Sequence, residues 1–103
     1  MHRMNDLLRQ AQVMQNKMAK IQEELGERLI EAGSGGGMVK VVCNGKQELV
    51  SISIEKEAVD PDDVEMLQDL VLTAVNEALR NSREMVEKEM SGLTGGMKIP
   101  GLF

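Results

Sequence analysis

A chain of 103 residues with a formal charge of −5 and one aromatic residue, Phe103, suits a single domain whose core must be built from Leu, Val, Ile and nine Met. A single cysteine excludes an internal disulfide and fits a reducing compartment. No apolar run approaches the ~20 residues of a membrane span and no signal-peptide core opens the chain, so a soluble cytoplasmic protein with no membrane partner is expected.

Met4, Leu7, Ala11, Met14, Met18, Ile21 and Leu25 recur at alternating spacings of three and four, which predicts an amphipathic helix with a heptad seam. Gly26 follows the last seam residue, where a left-handed helix cap is commonly glycine. Residues 27–32 are expected to form a short first strand, with Ile30 and Ala32 on one side and Leu29 on the other. The run Gly33-Ser34-Gly35-Gly36-Gly37 lacks the following helix and the lysine of a phosphate-binding loop, so it is expected to be a connection between strands.

Residues 38–54 then alternate apolar and polar residues on either side of Asn44-Gly45, the pattern of an antiparallel hairpin. Asn-Gly favours positive φ. A loop over residues 44–47 would place Val41 opposite Val50 and Val39 opposite Ile52, a register that pairs apolar residues across the strands. Further on, Asp60 is expected to cap a second helix with Pro61 at its first position, and Asp62 and Asp63 suit the positive end of the helix dipole. Val64, Leu67, Val71, Ala74 and Ala78 form its apolar stripe over roughly 27 residues, about 40 Å of helix. Residues 91–103, with four glycines and Pro100, are expected to be a flexible tail outside the domain of residues 1–90.

A small antiparallel sheet flanked by two long helices, an α+β fold of order α-β-β-β-α, follows from these elements. Six-residue strands cover about 20 Å, so each helix must overshoot the sheet. The overshooting ends, residues 1–18 and about 81–90, are expected to lie antiparallel as a pair. Surface left uncovered is best buried against a second copy, which predicts a homodimer.

The run GSGGGMVKVVCNG, the DPDD helix start, the helix LLRQAQVMQNKM and the closing LTGGMKIPGLF together resemble the YbaB/EbfC family of bacterial nucleoid-associated proteins. The resemblance covers nearly the whole chain. It implies a tweezer-like homodimer whose projecting helices grip duplex DNA with little or relaxed sequence preference. That implies a place in the nucleoid, in chromosome organisation and in gene regulation.

Charge gives an independent test. Residues 55–69 hold seven acids against Lys56 alone, a local charge of −6, so the rest of the chain carries +1. Residues 1–20 are the positive end, with Arg3, Arg9, Lys17 and Lys20 against Asp6. At 100° per residue Arg9, Asn16 and Lys20 fall on one line opposite the apolar seam, with Lys17 beside it. These cations are the candidate phosphate contacts, and Arg80 and Arg83 are further candidates in a region neutralised by Glu84, Glu87 and Glu89. The bland alternative is an ordinary solvated helix face. Without an aromatic platform, single-strand or RNA recognition by base stacking is disfavoured.

Catalysis has no support in the residues, because the single histidine, His2, lies at the terminus and leaves Ser or Cys without a held base. Cys43 fits the hairpin core, the Asp60-Asp62-Asp63 cluster lacks the remaining parts of a calcium loop, and the methionines of the first helix fall at seam spacing. The expected protein is therefore a non-enzymatic binder of duplex DNA with no cofactor, metal or small-molecule substrate. The rival is a protein-interaction module that uses the long helices and the tail.

Overall fold

Strands form where β-branched residues alternate with polar ones. In the computed structural model, which describes residues 2–93, β1 (Leu29–Ser34), β2 (Val39–Asn44) and β3 (Leu49–Ile54) make an antiparallel sheet in the order β1-β2-β3. Helix α1 (His2–Glu27) precedes it and helix α2 (Val64–Leu93) follows, which gives the α-β-β-β-α order expected. β1 begins at Leu29 rather than residue 27 because α1 continues through Glu27. As expected, Ile30 and Ala32 turn to the core while Leu29 is 64% exposed. Gly35, Gly36 and Gly37 all take positive φ, 60°, 68° and 95°, and turn β1 back into β2.

The hairpin register differs from the one predicted. Val41 lies opposite Ile52 and Val39 opposite Ile54, with a bulge where Cys43 meets Leu49. Gly45 does not supply the positive φ. Gln47 does, at 68°, and the Gln47 N–H donates to the Asn44 carbonyl at 3.2 Å. The Asn44 Oδ1 meanwhile accepts the N–H groups of Lys46 and Glu48 at 2.9 and 3.1 Å. The asparagine side chain thus builds the turn, while the left-handed conformation falls on a residue whose side chain does not announce it.

α2 lays Ala74 and Ala78, both fully buried, on Val39, Val41, Cys43 and Ala32, and Leu67, Leu70, Val71 and Val75 pack around them. Small residues let the helix approach closely, and side-chain hydrogen bonds then pin it. Ser34 Oγ donates to the Leu70 carbonyl at 2.6 Å, and Ser82 Oγ donates to the Asn44 carbonyl at 2.8 Å while accepting from Gln47 Nε2 at 3.0 Å. Cys43 Sγ donates to the Ala78 carbonyl at 3.3 Å. Burial pushes the Cys43 thiol pKa up, outweighing the opposing hydrogen bond with Ser82.

Three helix-end expectations are corrected. The cap of α2 is Asp63, which accepts the Met66 N–H at 3.2 Å, and helix begins at Val64 rather than Pro61. Asp60 instead closes a turn: its Oδ1 takes the Asp62 N–H and its carbonyl the Asp63 N–H, each at 2.9 Å. Proline fits that turn as well as a helix start. Gly26 is not a left-handed cap either, since it lies inside α1 and has no positive φ. α2 also continues through Leu93, into the stretch expected to be tail; residues 94–103 lie outside those described.

The antiparallel pairing expected between the overshooting helix ends is not formed within one chain. Every residue from 3 to 17 is exposed, including Met4, Leu7, Leu8, Val13 and Met14 at 59–62%. Only the root of α1 is covered: Met18, Ile21 and Gln22 are half-buried, and Leu25 and Gly26 are buried. The molecule measures 75 × 20 × 17 Å. At 1.5 Å per residue α1 is about 39 Å long, so α1 runs out from the sheet as an arm instead of folding back over it.

Candidate nucleic-acid interface

The arm is held at its root by backbone contacts. The Gly45 N–H donates to the Gly26 carbonyl at 3.1 Å. A Cβ at Gly45 would overlap the Leu25 carbonyl oxygen, and one at Gly26 would meet the Lys46 side chain at 2.9 Å. Gly45 is therefore required for close approach of the hairpin turn to the helix, and not for unusual φ, whereas at Gly26 the flexible Lys46 chain would have to shift. An ion pair of Arg28 with Glu89 at 3.4 Å adds a half-exposed strap between the base of the arm and α2. Such pairs contribute little energy, about 0–1 kcal/mol. Together these contacts join arm and sheet without covering the arm.

All six candidate cations are exposed, but they fall into two groups. Arg3, Arg9, Lys17 and Lys20 stand on α1 and make no ion pair among the described residues. Arg9 and Lys20 share one line of the helix about 17 Å long. With Asn16 between them and Lys17 alongside, this line can follow roughly half a turn of duplex backbone, since a full turn is about 34 Å.

Arg80 and Arg83 stand on α2, on the side away from the buried Ala74, Ala78 and Ser82. Arg80 is already held by Glu77, one turn before it. The hydrogen bond and then the charge of Glu77, with Glu84 adding to them, raise the Arg80 pKa. Its charge is thus largely answered within the chain. Arg83 makes no ion pair among the described residues, but neither it nor Arg80 joins the line on α1.

What sequence reasoning missed is the mechanical part of the site. Gly45, Gly26 and the Asn44 turn fix where the arm starts, and the only signal for this was a glycine beside asparagine that read equally well as a φ requirement. The described residues contain no group of three or more His, Cys, Asp or Glu placed to hold a metal ion, and no described helix is long and apolar enough to cross a membrane. The acids of residues 55–69 sit at the sheet end where α2 begins, far along the molecule from the arm. Charge is therefore separated: residues 55–69 carry −6, whereas the exposed outer stretch of the arm, residues 3–17, carries Arg3, Arg9 and Lys17 against Asp6. A duplex approaching the arm meets cations without having to pass the acids.

Comparison with known proteins agrees with this arrangement. The family model described as the YbaB/EbfC DNA-binding family matches residues 1–97. A nucleoid-associated protein of Desulforamulus reducens is 67% identical over 100 residues, covering 97% of this chain and 95% of that protein. One from Moorella thermoacetica is 59% identical over 101 residues, covering 98% and 97%. The crystal structure of an uncharacterized protein from Helicobacter pylori superposes with a TM-score of 0.73 at 25% identity, covering 85% of this chain and 92% of that one. An α-β-β-β-α chain that carries its unpaired cations on a projecting helix thus belongs to the YbaB/EbfC family of DNA-binding proteins, not to an enzyme family.

Proposed function

We propose that this chain binds duplex DNA as a homodimer with little sequence preference, gripping the phosphate backbone with its α1 arms and helping to organise the bacterial nucleoid, with effects on gene expression that follow from occupancy. One observation carries the reading: Arg3, Arg9, Lys17 and Lys20 are exposed on a helix that leaves the body of the molecule, and no acid of the described chain answers them. Cations positioned this way neutralise phosphates and release counterions, which supplies affinity without reading bases. The relatives' names, nucleoid-associated protein, point the same way. The dimer is supported by the apolar seam of α1, which a single chain leaves in water.

Mobility shifts on unrelated duplexes across a salt series test this. Comparable affinity for each duplex is expected, with log K falling against log salt by about 0.9 per phosphate contacted. A weak, salt-insensitive shift would favour the protein-interaction module instead.

A further inference from the structure

Cover on α1 ends level with the last described residue of α2. Ser82 stands at the hairpin turn, where its Oγ donates to the Asn44 carbonyl, and α2 runs on from there through Leu93, about 16 Å past the sheet. α1 leaves from the same turn, because the Gly26 carbonyl takes the Gly45 N–H. A molecule 20 × 17 Å in section sends both helices along its 75 Å axis, and Arg28 reaches Glu89 between them. Met90 is fully buried out beyond the sheet, matched on α1 by buried Leu25 and half-buried Ile21 and Met18. Counted from the turn, Leu93 comes level with about residue 15 of α1. From that point to the tip every residue described is exposed, Met14, Ala11, Leu7 and Met4 among them.

We propose that residues 94–103 of the same chain are the missing cover: they continue the track of α2 and lie extended along the outer seam of α1. Length permits it. The bare seam from residue 15 to Met4 is about 16 Å of helix, and ten extended residues span up to ~33 Å. Composition fits as well. Gly95 and Gly96 give a link after the helix, Met97 and Ile99 alternate with Lys98, and Leu102 and Phe103 follow Pro100 and Gly101. In an extended chain that alternation puts Met97 and Ile99 on one side and Lys98 on the other, so the apolar pair meets the seam while the cation stays in water. An extended segment lying on a helix joins no ladder, so the missing N–H of Pro100 costs nothing there. Methionines on both sides of the contact adapt to its uneven surface.

The seam lies opposite Arg9 and Lys20. A docked tail therefore leaves the cationic line open to phosphate and adds Lys98 to the arm. The inference goes beyond the DNA-binding reading and does not depend on it. With the seam taken by the tail, the apolar surface left for a second copy includes β3, where Leu49, Val50, Ile52 and Ile54 are exposed.

Dipolar EPR between nitroxide labels on Asn5→Cys and Lys98→Cys tests the contact, with Cys43 buried and unlabelled and the labelled chain diluted in unlabelled chain. Docking should give one narrow distance distribution below ~25 Å, since both labels sit on the outer part of one rod. Ile99→Glu lies outside the residues that form the core, so it should release the tail with helical circular dichroism unchanged. That release should broaden the distribution and speed amide exchange over residues 5–17 about tenfold, the weight of one buried aliphatic side chain. Leu7→Glu should do the same from the other side of the contact. A broad distribution in the native chain, or exchange that Ile99→Glu leaves unchanged, would overturn the proposal. So would a narrow distance seen only in mixtures of singly labelled Asn5→Cys and Lys98→Cys chains, which would assign the seam to a second copy's tail. A narrow distance from Asn5→Cys chains alone, with Lys98 broad, would assign it to a second copy's arm and overturn the proposal equally.

Discussion

The two helices of this chain have similar amphipathic patterns and opposite fates. α2 spends its apolar face inside its own subunit: Ala74, Ala78 and Ser82 are fully buried against the sheet. α1 holds Met4, Leu7 and Met14 at about the same radial positions in its own repeat, and all three are exposed. The difference is one of attachment and side-chain size. α2 passes over the strands with small residues that allow close approach, whereas α1 is tied to the sheet only at its C-terminal end and presents bulky, pliable side chains to a surface the described chain does not contain. An amphipathic pattern thus states that a helix has a face to bury, without stating where the other half of the contact comes from.

Breaking the junction between the two regions should have the largest effect. Gly45→Ala forces a Cβ into the Leu25 carbonyl, and backbone on both sides leaves little room to give. A loss of about 3 kcal/mol or more is expected, read as a fall in the midpoint of denaturant unfolding. Next comes the tip. Replacing Arg9, Lys17 and Lys20 together by Ala should weaken duplex binding about 100-fold or more and flatten the salt slope by about 2.7 for each arm engaged. Stability should stay within ~0.5 kcal/mol, as for exposed positions generally. Intact binding with an unchanged slope would move the contact elsewhere.

The helix comparison itself is sharpened by a matched pair. Ala74→Leu should cost roughly 1–3 kcal/mol by overpacking the closed contact of α2 with β2, while Ala11→Leu, on the exposed seam of α1, should leave subunit stability unchanged. Equal losses would mean that the arm is packed in solution. A smaller effect, about 1 kcal/mol, is expected for Asp63→Ala, which removes the acceptor of the Met66 N–H, whereas Asp60→Ala should loosen the preceding turn without shortening α2. The smallest concerns Cys43, whose raised pKa means that the folded state holds its thiol proton more tightly than the unfolded chain does. Stability should be flat below about pH 8.5 and decline above it as the unfolded thiol ionises; Cys43→Ser should remove that decline.

Much of this was legible in the residues. The seam of α1, the alternation in β2 and β3 and the cations of residues 1–20 each depend on neighbours in sequence, and each lies in the element expected; the glycine connection is shorter than expected, residues 35–37, because Gly33 and Ser34 pair with Lys40 and Val39 as the end of β1. The register of the hairpin was not legible. Whether Gly45 or Gln47 takes the left-handed conformation depends on α1 pressing its Leu25 and Gly26 backbone against the turn, a contact some twenty residues away in sequence. The cap at Asp63 was hidden for a similar reason, since Asp60, Asp62 and Asp63 are all competent and the choice was made by the turn through Pro61.

The amino-acid order alone settled that there would be two amphipathic helices around a small three-stranded sheet, and that residues 1–20 would carry a net positive charge. Periodicity and charge are local properties, carried by residues three or four, or two, positions apart. Only the folded chain decided that α2 covers β1 and β2 and leaves β3 bare, and that α1 stands free from residue 3 to residue 17. Those outcomes depend on how closely distant backbones can approach, which is fixed by a glycine against a carbonyl at one joint and by alanines against a strand at the other.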